Sequence, residues 1–189
     1  LEVYASGSIR KGQATVKLAT AGRICPVTEQ GFCHEMLVNY RHVVPGMWYP
    51  GTANKTSAAS YRWYRDVLCA GEMEEAKRQG VSAYSLMTAA AALTPPGAEG
   101  LCFHPYLQGE STPYMDNNLR ASFTGVSGMH TKGHFSRAVM EGVCFSLKDS
   151  LNLLKQLGIA PTTANIIGGG GSTPVWAQMT ADILNLPLT

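Results

Sequence analysis

Gly168-Gly169-Gly170-Gly171 stands between the β-branched pair Ile166-Ile167 and the polar run Ser172-Thr173-Pro174. Such a stretch can do chemistry without a reactive side chain, because bare glycines let a ligand lie against the backbone. Ser172 and Thr173 offer N-cap hydroxyls, and Pro174 suits the first turn of a helix. The unpaired N–H groups of that turn attract an anion. Val175, Met179, Ile183 and Leu186 recur at helical spacing, so the pattern predicts strand, glycine turn and helix. A nucleotide is the leading candidate ligand, and a glycine-rich connection without a ligand is the alternative. Neither common glycine fingerprint is present. The dinucleotide-binding G-x-G-x-x-G would need glycine at Thr173, and the P-loop needs Gly-Lys-Ser/Thr, which occurs nowhere in the chain.

A second small-residue turn is Ala19-Thr20-Ala21-Gly22, between alternating Gln13 to Leu18 and a second apolar run, Arg23 to Val27. A hydroxyl on such a tip can hydrogen-bond a phosphate oxygen together with neighbouring N–H groups. An ordinary hairpin has the same pattern. Other reactive types give less. His130 and His134, four apart, could share a helix face as metal ligands, but no third ligand follows at metal spacing. Cys33-His34 read as strand neighbours would point to opposite faces and could not pair as nucleophile and base. Glu110, beside Thr112 and Pro113, could bind a substrate hydroxyl or hold a loop. Asp182 reads as solvated or locally paired.

Composition bounds the class. The chain has 189 residues, of which 45% are hydrophobic and 15% charged, with net charge +2. That suits one large domain, or one and a half ordinary ones, with a real core. The low charge points to surface covered by a missing partner domain or by a homodimer contact. No basic run points to nucleic acid, and no apolar run is long enough to span a membrane. The five cysteines are odd in number and lack a C-x-x-C pair, which fits free thiols and a cytoplasmic protein. Leu1 in place of a methionine, and a chain that stops after Asn185-Leu186-Pro187-Leu188, read as an excised domain.

Positioning these groups requires the following elements. The end of a helix lies within Leu1 to Arg10, with Gly7 as its stop. After the hairpin, Phe32 to Leu37 and His42 to Tyr49, the latter broken by Pro45-Gly46, read as further strands of an antiparallel meander. Ser57 to Leu68 reads as a helix with Tyr61, Tyr64 and Leu68 on one face, an aromatic stripe typical of a core. Glu72 to Gln79 and Tyr84 to Leu93 are shorter helices, the latter stopped by Pro95-Pro96-Gly97. A strand begins at Leu101, and Ser122 to Val126 is extended. Lys132 to Leu157 is a long helix with an apolar stripe from Phe135 to Leu154, capped by Gly158. The strand Ala164 to Ile167 leads into the glycine turn. The sheet is expected to be antiparallel first and parallel later.

Several segments carry a more specific pattern. Ala121-Ser122-Phe123-Thr124-Gly125-Val126 is followed, after seven residues, by His134-Phe135-Ser136-Arg137-Ala138-Val139-Met140-Glu141. Upstream lie Phe103 to Pro113 and Leu18-Ala19-Thr20-Ala21-Gly22; downstream lie Ile167 to Gly170, Trp176 and Ala181 to Leu184. In this order they resemble the C-terminal domain of the FGGY carbohydrate kinases, most closely the xylulokinase branch, from about Gln13 to Thr189. The resemblance implies an actin-like ATPase (ribonuclease-H-like) fold, a mixed five-stranded sheet with flanking helices. It also implies a role as the nucleotide-binding half, residues 1–189, of a two-domain kinase that phosphorylates a sugar such as D-xylulose with ATP and Mg²⁺. On that pattern Thr20, Ala21 and Gly22 would hold phosphates, and Gly169, Gly170 and Ser172 the adenosine side. Ser57 and Arg62 would lie near the base. No catalytic residue is expected in this chain. The general-base aspartate would precede Leu1, near the missing N-terminal domain, which would also supply most sugar contacts. Two positions depart from the family: Ala19 stands for the first glycine of the hairpin, and Ser111 for an arginine. They keep open a non-catalytic regulatory module of the same fold, beside a kinase for another polyol.

Overall fold

The computed structural model describes residues 1–189 as a mixed α/β arrangement built around one long helix. The chain begins with a short helix, α1 (Glu2–Ala5), and a hairpin of β1 (Gln13–Leu18) and β2 (Gly22–Pro26). A two-stranded ribbon follows, β3 (Val38–Arg41) and β4 (Trp48–Gly51). Three helices come next: α2 (Ala58–Leu68), α3 (Ala70–Gln79) and α4 (Ala83–Ala92). A second ribbon pairs β5 (Cys102–His104) with β6 (Ser122–Thr124). The chain closes with α5 (Lys132–Gln156), β7 (Thr163–Ile167) and α6 (Pro174–Leu184).

The main sheet has the order β2-β1-β7. β1 pairs antiparallel with β2 and parallel with β7, so the expected change of sense occurs on β1 itself. Three regular strands form this sheet, which corrects the expected count of five. Each edge is extended only by a short segment. On one side Asn54 bridges Gly22, and on the other Leu188 bridges Ala164. The first extension cannot continue as a ladder because the Ile24 N–H donates to the Thr52 hydroxyl, at 2.9 Å, instead of to a carbonyl. The expected strand at Phe32 to Leu37 is irregular. Its backbone is held by the Asn39 side chain, which accepts from the Phe32 N–H and donates back to its carbonyl. The expected strand His42 to Tyr49 is mostly turn: β3 ends at Arg41, Pro45-Gly46 lies in the turn, and only Trp48 and Tyr49 belong to β4.

α5 is the centre of the core. It packs against α4, α6, α2, β5 and β2. Leu147, Leu151 and Leu154 are at most 1% exposed, each contributing roughly 1.5–3 kcal/mol by burial. Gly142 permits the crossing with β5, since a Cβ there would lie 2.1 Å from the Phe103 carbonyl oxygen. Thr131 and His134 form a reciprocal cap at the start of α5, with His134 Nδ1 accepting the Thr131 N–H at 3.0 Å. His134 Nδ1 is thus used by the backbone, its Nε2 faces the Glu99 carboxylate at 3.3 Å, and nowhere do three His, Cys, Asp or Glu residues group as metal ligands. Arg137 and Glu141 form a buried pair at 2.7 Å that also holds the segment after α4 through the Thr94 carbonyl and the Gly97 N–H. All five cysteines are free. No helix is long and apolar enough to cross a membrane.

Candidate functional site

The two small-residue turns meet at Leu18. β1 and β7 are parallel neighbours, so their C-terminal ends bring the hairpin tip and the glycine turn to one edge of the sheet. The Gly170 N–H donates to the Leu18 carbonyl at 3.0 Å. Gly168 has φ +96°, and a Cβ there would lie 2.4 Å from the same carbonyl oxygen. Only glycine meets both demands. Gly169, by contrast, has no atom within 4 Å of its Cβ position and faces open space.

The hairpin tip is oriented by the first turn of α2. The Ala58 N–H donates to the Ala19 carbonyl at 2.8 Å. The Ser57 and Ala59 N–H groups donate to the Thr20 carbonyl, at 3.0 and 3.4 Å. Both carbonyls therefore face the positive end of a helix. In a trans peptide the carbonyl and the following N–H point in opposite directions. The N–H groups of Thr20 and Ala21 consequently point away from α2, and neither donates to a backbone carbonyl. Thr20 is exposed with its hydroxyl unpaired inside the chain. Tip, Lys17, Arg23 and Glu2 line one open hollow. Lys17 is paired with Glu2 at 2.6 Å, whereas Arg23 has no carboxylate partner. Outward N–H groups, a free hydroxyl and a guanidinium suit an anion.

Beside the tip is a cavity of about 250 Å³, lined by Ala58 and Tyr61 of α2, Tyr84 and Thr88 of α4, and Gly169, Gly170, Thr173 and Trp176. Its walls are aromatic. Tyr61 stacks on Tyr84 at 5.8 Å and meets Trp176 edge-on at 5.3 Å. Tyr84 is backed by the Arg65 guanidinium at 4.6 Å. Trp176 is fixed by donating to the Met140 carbonyl at 3.1 Å. Burial raises the Tyr61 phenol to about 12, so it stays neutral. A flat apolar ring fits such walls. Ala58 belongs to both regions, since its N–H holds the tip and its side chain lines the cavity. Larger hollows of about 430 Å³ lie elsewhere, one around Lys11 and Glu29 at the far end of β1, the other beside Phe145 and Asp149.

The residues nominated from sequence fall into distinct places. Thr20 and Ala21 face the tip hollow, and Gly169 and Gly170 line the cavity. The Gly22 N–H is spent on the Asn54 carbonyl at 3.1 Å. Ser57 lies buried beneath the tip with its hydroxyl unpartnered. The Ser172 hydroxyl turns back to the Gly169 carbonyl at 2.9 Å. Arg62 is exposed on α2 and lines neither space. Ala58, Tyr84 and Thr88 of the cavity and Arg23 of the tip hollow carry no local spacing that marks them in the sequence. Tyr61 is core, as the aromatic stripe predicts, at 3% exposed, and it also lines the cavity. Asp182 is locally paired with Gln178 at 2.7 Å.

Comparison with known proteins identifies the family. Residues 13–189 match the model of the FGGY family of carbohydrate kinases, C-terminal domain. A gluconokinase from Bacillus licheniformis is 35% identical over 185 residues, which covers 93% of this chain and 35% of the relative. A xylulose kinase from Bacillus subtilis is 35% identical over 188 residues, 95% of this chain and 34% of the relative. Among solved structures, the xylulose kinase from Rhodospirillum rubrum superposes with a TM-score of 0.84 at 31% identity, covering 97% of this chain and 36% of that one. The Plasmodium falciparum glycerol kinase with ADP superposes at 0.80 with 18% identity, over 98% of this chain and 36% of that one, a likeness of fold alone. The actin-like α/β fold implied by the sequence motifs stands, apart from the strand count. This chain spans about a third of the length of the curated relatives it matches. It belongs to the FGGY family of carbohydrate kinases, of which it carries the C-terminal domain.

Proposed function

We propose that this chain is the nucleotide-binding half of an ATP-dependent sugar kinase, with D-xylulose as the favoured acceptor. The observation that carries the reading is the continuity of an anion-suited tip and an aromatic cavity through Ala58. A nucleotide needs both halves. Thr20 and Ala21 hold phosphate oxygens through outward N–H groups and the Thr20 hydroxyl, and Arg23 adds positive charge. Tyr84 and Trp176 enclose the base, with Gly169 and Gly170 allowing close approach. Bound ATP supplies the transferable phosphoryl group. No three acidic side chains group in this chain; Mg²⁺ would be held chiefly by the nucleotide's own phosphates and water, with one or two carboxylates of the intact enzyme completing its shell.

The sugar and the base that deprotonates its hydroxyl belong to the N-terminal domain of the intact enzyme. Closure of the two domains excludes water as a competing acceptor. A cytoplasmic location accords with the free thiols. Gluconate is the second acceptor, because the gluconokinase from B. licheniformis is as similar as the xylulose kinase from B. subtilis. The test is ADP release by the protein that joins this chain to its N-terminal domain, with MgATP and xylulose, ribulose, gluconate or glycerol. A strong response to one sugar supports the reading. Nucleotide binding without turnover across the panel favours a regulatory module, and no binding at all refutes the site. The 189-residue chain alone is expected to bind nucleotide weakly and to release no ADP.

A further inference from the structure

The Glu110 side chain is fully buried, and all its hydrogen-bond partners are neutral. Oε1 accepts the Lys55 and Ser111 N–H groups, both at 2.8 Å. Oε2 accepts from Asn54 Nδ2 and Ser146 Oγ, both at 3.3 Å. A buried carboxylate without a cation is costly to keep, so its retention calls for what it holds. It holds Asn54 and Lys55. Asn54 exchanges backbone hydrogen bonds with Gly22 at 3.0 and 3.1 Å, at the base of the hairpin. Its side chain is tied to α5 by Ser146 Oγ at 3.0 Å and Ser150 Oγ at 3.1 Å. Lys55 lies two residues before Ser57, whose N–H donates to the Thr20 carbonyl. Thr56, between them, is anchored through its hydroxyl to the Pro105 carbonyl. Both connections to the hairpin tip therefore start from residues that Glu110 touches.

We propose that Glu110 is a positioning residue for the phosphate-facing hairpin. By fixing Asn54 and Lys55 it sets the first turn of α2, and through that turn the direction of the Thr20 and Ala21 N–H groups. Its use as a phosphate device rests on the nucleotide reading above; its mechanical coupling to the tip does not. The competing role is closure of its own loop, where Glu110 and Asp116 exchange backbone hydrogen bonds at 2.8 and 3.0 Å. A loop-closing residue would leave the tip unmoved.

The test uses the 189-residue chain and two variants. Glu110→Gln keeps an acceptor for Lys55 and Ser111 but turns an amide NH₂ toward two donors, Asn54 Nδ2 and Ser146 Oγ. Glu110→Asp keeps the carboxylate but draws it back by one methylene from Lys55 and Asn54, and is milder. The ligand-free amide resonances of Thr20 and Ala21 are followed by NMR, and tripolyphosphate and adenosine are titrated separately. In E110Q both resonances are expected to shift. Tripolyphosphate should weaken about fivefold, and adenosine by less than about twofold. E110D should move in the same direction with smaller amplitude, and it decides by the same readouts should E110Q fail to fold. Unmoved resonances, or equal weakening of both ligands, overturn the proposal. A wild-type chain that binds neither ligand, while its tip resonances still respond to the variants, refutes the nucleotide reading and leaves the coupling standing.

Discussion

The hairpin tip and the glycine turn touch at one carbonyl, that of Leu18, yet they prepare a site in opposite ways. The glycine turn contributes absence. Gly169 leaves open space, and Gly170 spends its N–H on Leu18. The tip contributes unpaired donors, because α2 has captured the carbonyls of Ala19 and Thr20. One region is shaped by glycines against the Leu18 carbonyl, the other by a helix more than thirty positions further along the chain. The departure at Ala19 illustrates the difference. That residue acts through its carbonyl, which any residue supplies, so alanine in place of glycine leaves the hydrogen bond to Ala58 intact.

The largest test separates two adjacent glycines. Gly168→Ala would place a methyl 2.4 Å from a backbone oxygen, at φ +96°. A loss of about 3 kcal/mol or more in denaturant unfolding is expected. Gly169→Ala meets no atom, so its stability should stay within about 0.5 kcal/mol of wild type. The new methyl faces the cavity and should weaken adenosine binding. If both variants are equally unstable, the turn is not the mixture of strain and openness described here.

A second test concerns pH and the support behind the tip. Burial, the dominant cause, raises the Glu110 pKa above the usual carboxylate range, while its hydrogen bonds act the other way. A carboxyl raised in the folded state binds its proton more tightly there than in the unfolded chain. Its contribution to stability is thus fully present below the unfolded pKa and is lost as pH rises through the folded one. Stability measured from pH 4 to 7 should fall with pH more steeply in wild type than in E110Q. Parallel curves would show that the burial is not felt as a charge penalty.

The tip itself gives a smaller effect. Thr20→Val removes an exposed hydroxyl that has no partner within the chain. Unfolding should change by less than about 0.5 kcal/mol. Tripolyphosphate should weaken about fivefold, the value of one hydrogen bond near 1 kcal/mol, with adenosine unaffected. Equal loss of both ligands would mean that tip and cavity are one space.

Much of this was legible in the residues. Alternation around Ala14, Val16 and Leu18 located β1, and the apolar stripe from Phe135 to Leu154 located α5. The glycine turn announced itself, because strain and close approach leave a local mark. What stayed hidden depends on distant partners. Phe32 to Leu37 has strand composition, but Asn39 holds it as a loop. Cys33 and His34 thus lie in irregular chain, where strand alternation does not apply. Arg62 and Ser57 were nominated by position in the family pattern, whereas exposure removes the first from the cavity and burial removes the second. Tyr84 and Thr88 reach the cavity only because α4 packs on α5, a contact absent from any motif.

Ser57 provides the finest separation of the two regions. It occupies the N-cap position of α2, where replacing serine by alanine ordinarily costs about 0.5–2 kcal/mol. Here the hydroxyl makes no capping bond and is buried without any partner. The first turn is satisfied instead by the tip, since the Ser57, Ala58 and Ala59 N–H groups all donate to Ala19 or Thr20. Ser57→Ala therefore removes a desolvated hydroxyl and no hydrogen bond. Its stability should equal that of wild type or exceed it by up to about 1 kcal/mol. Tripolyphosphate binding should be unchanged, because the backbone N–H that holds Thr20 survives. A loss of stability in the ordinary capping range would show that α2 caps itself. The tip would then be a passenger on the helix instead of the group that completes it.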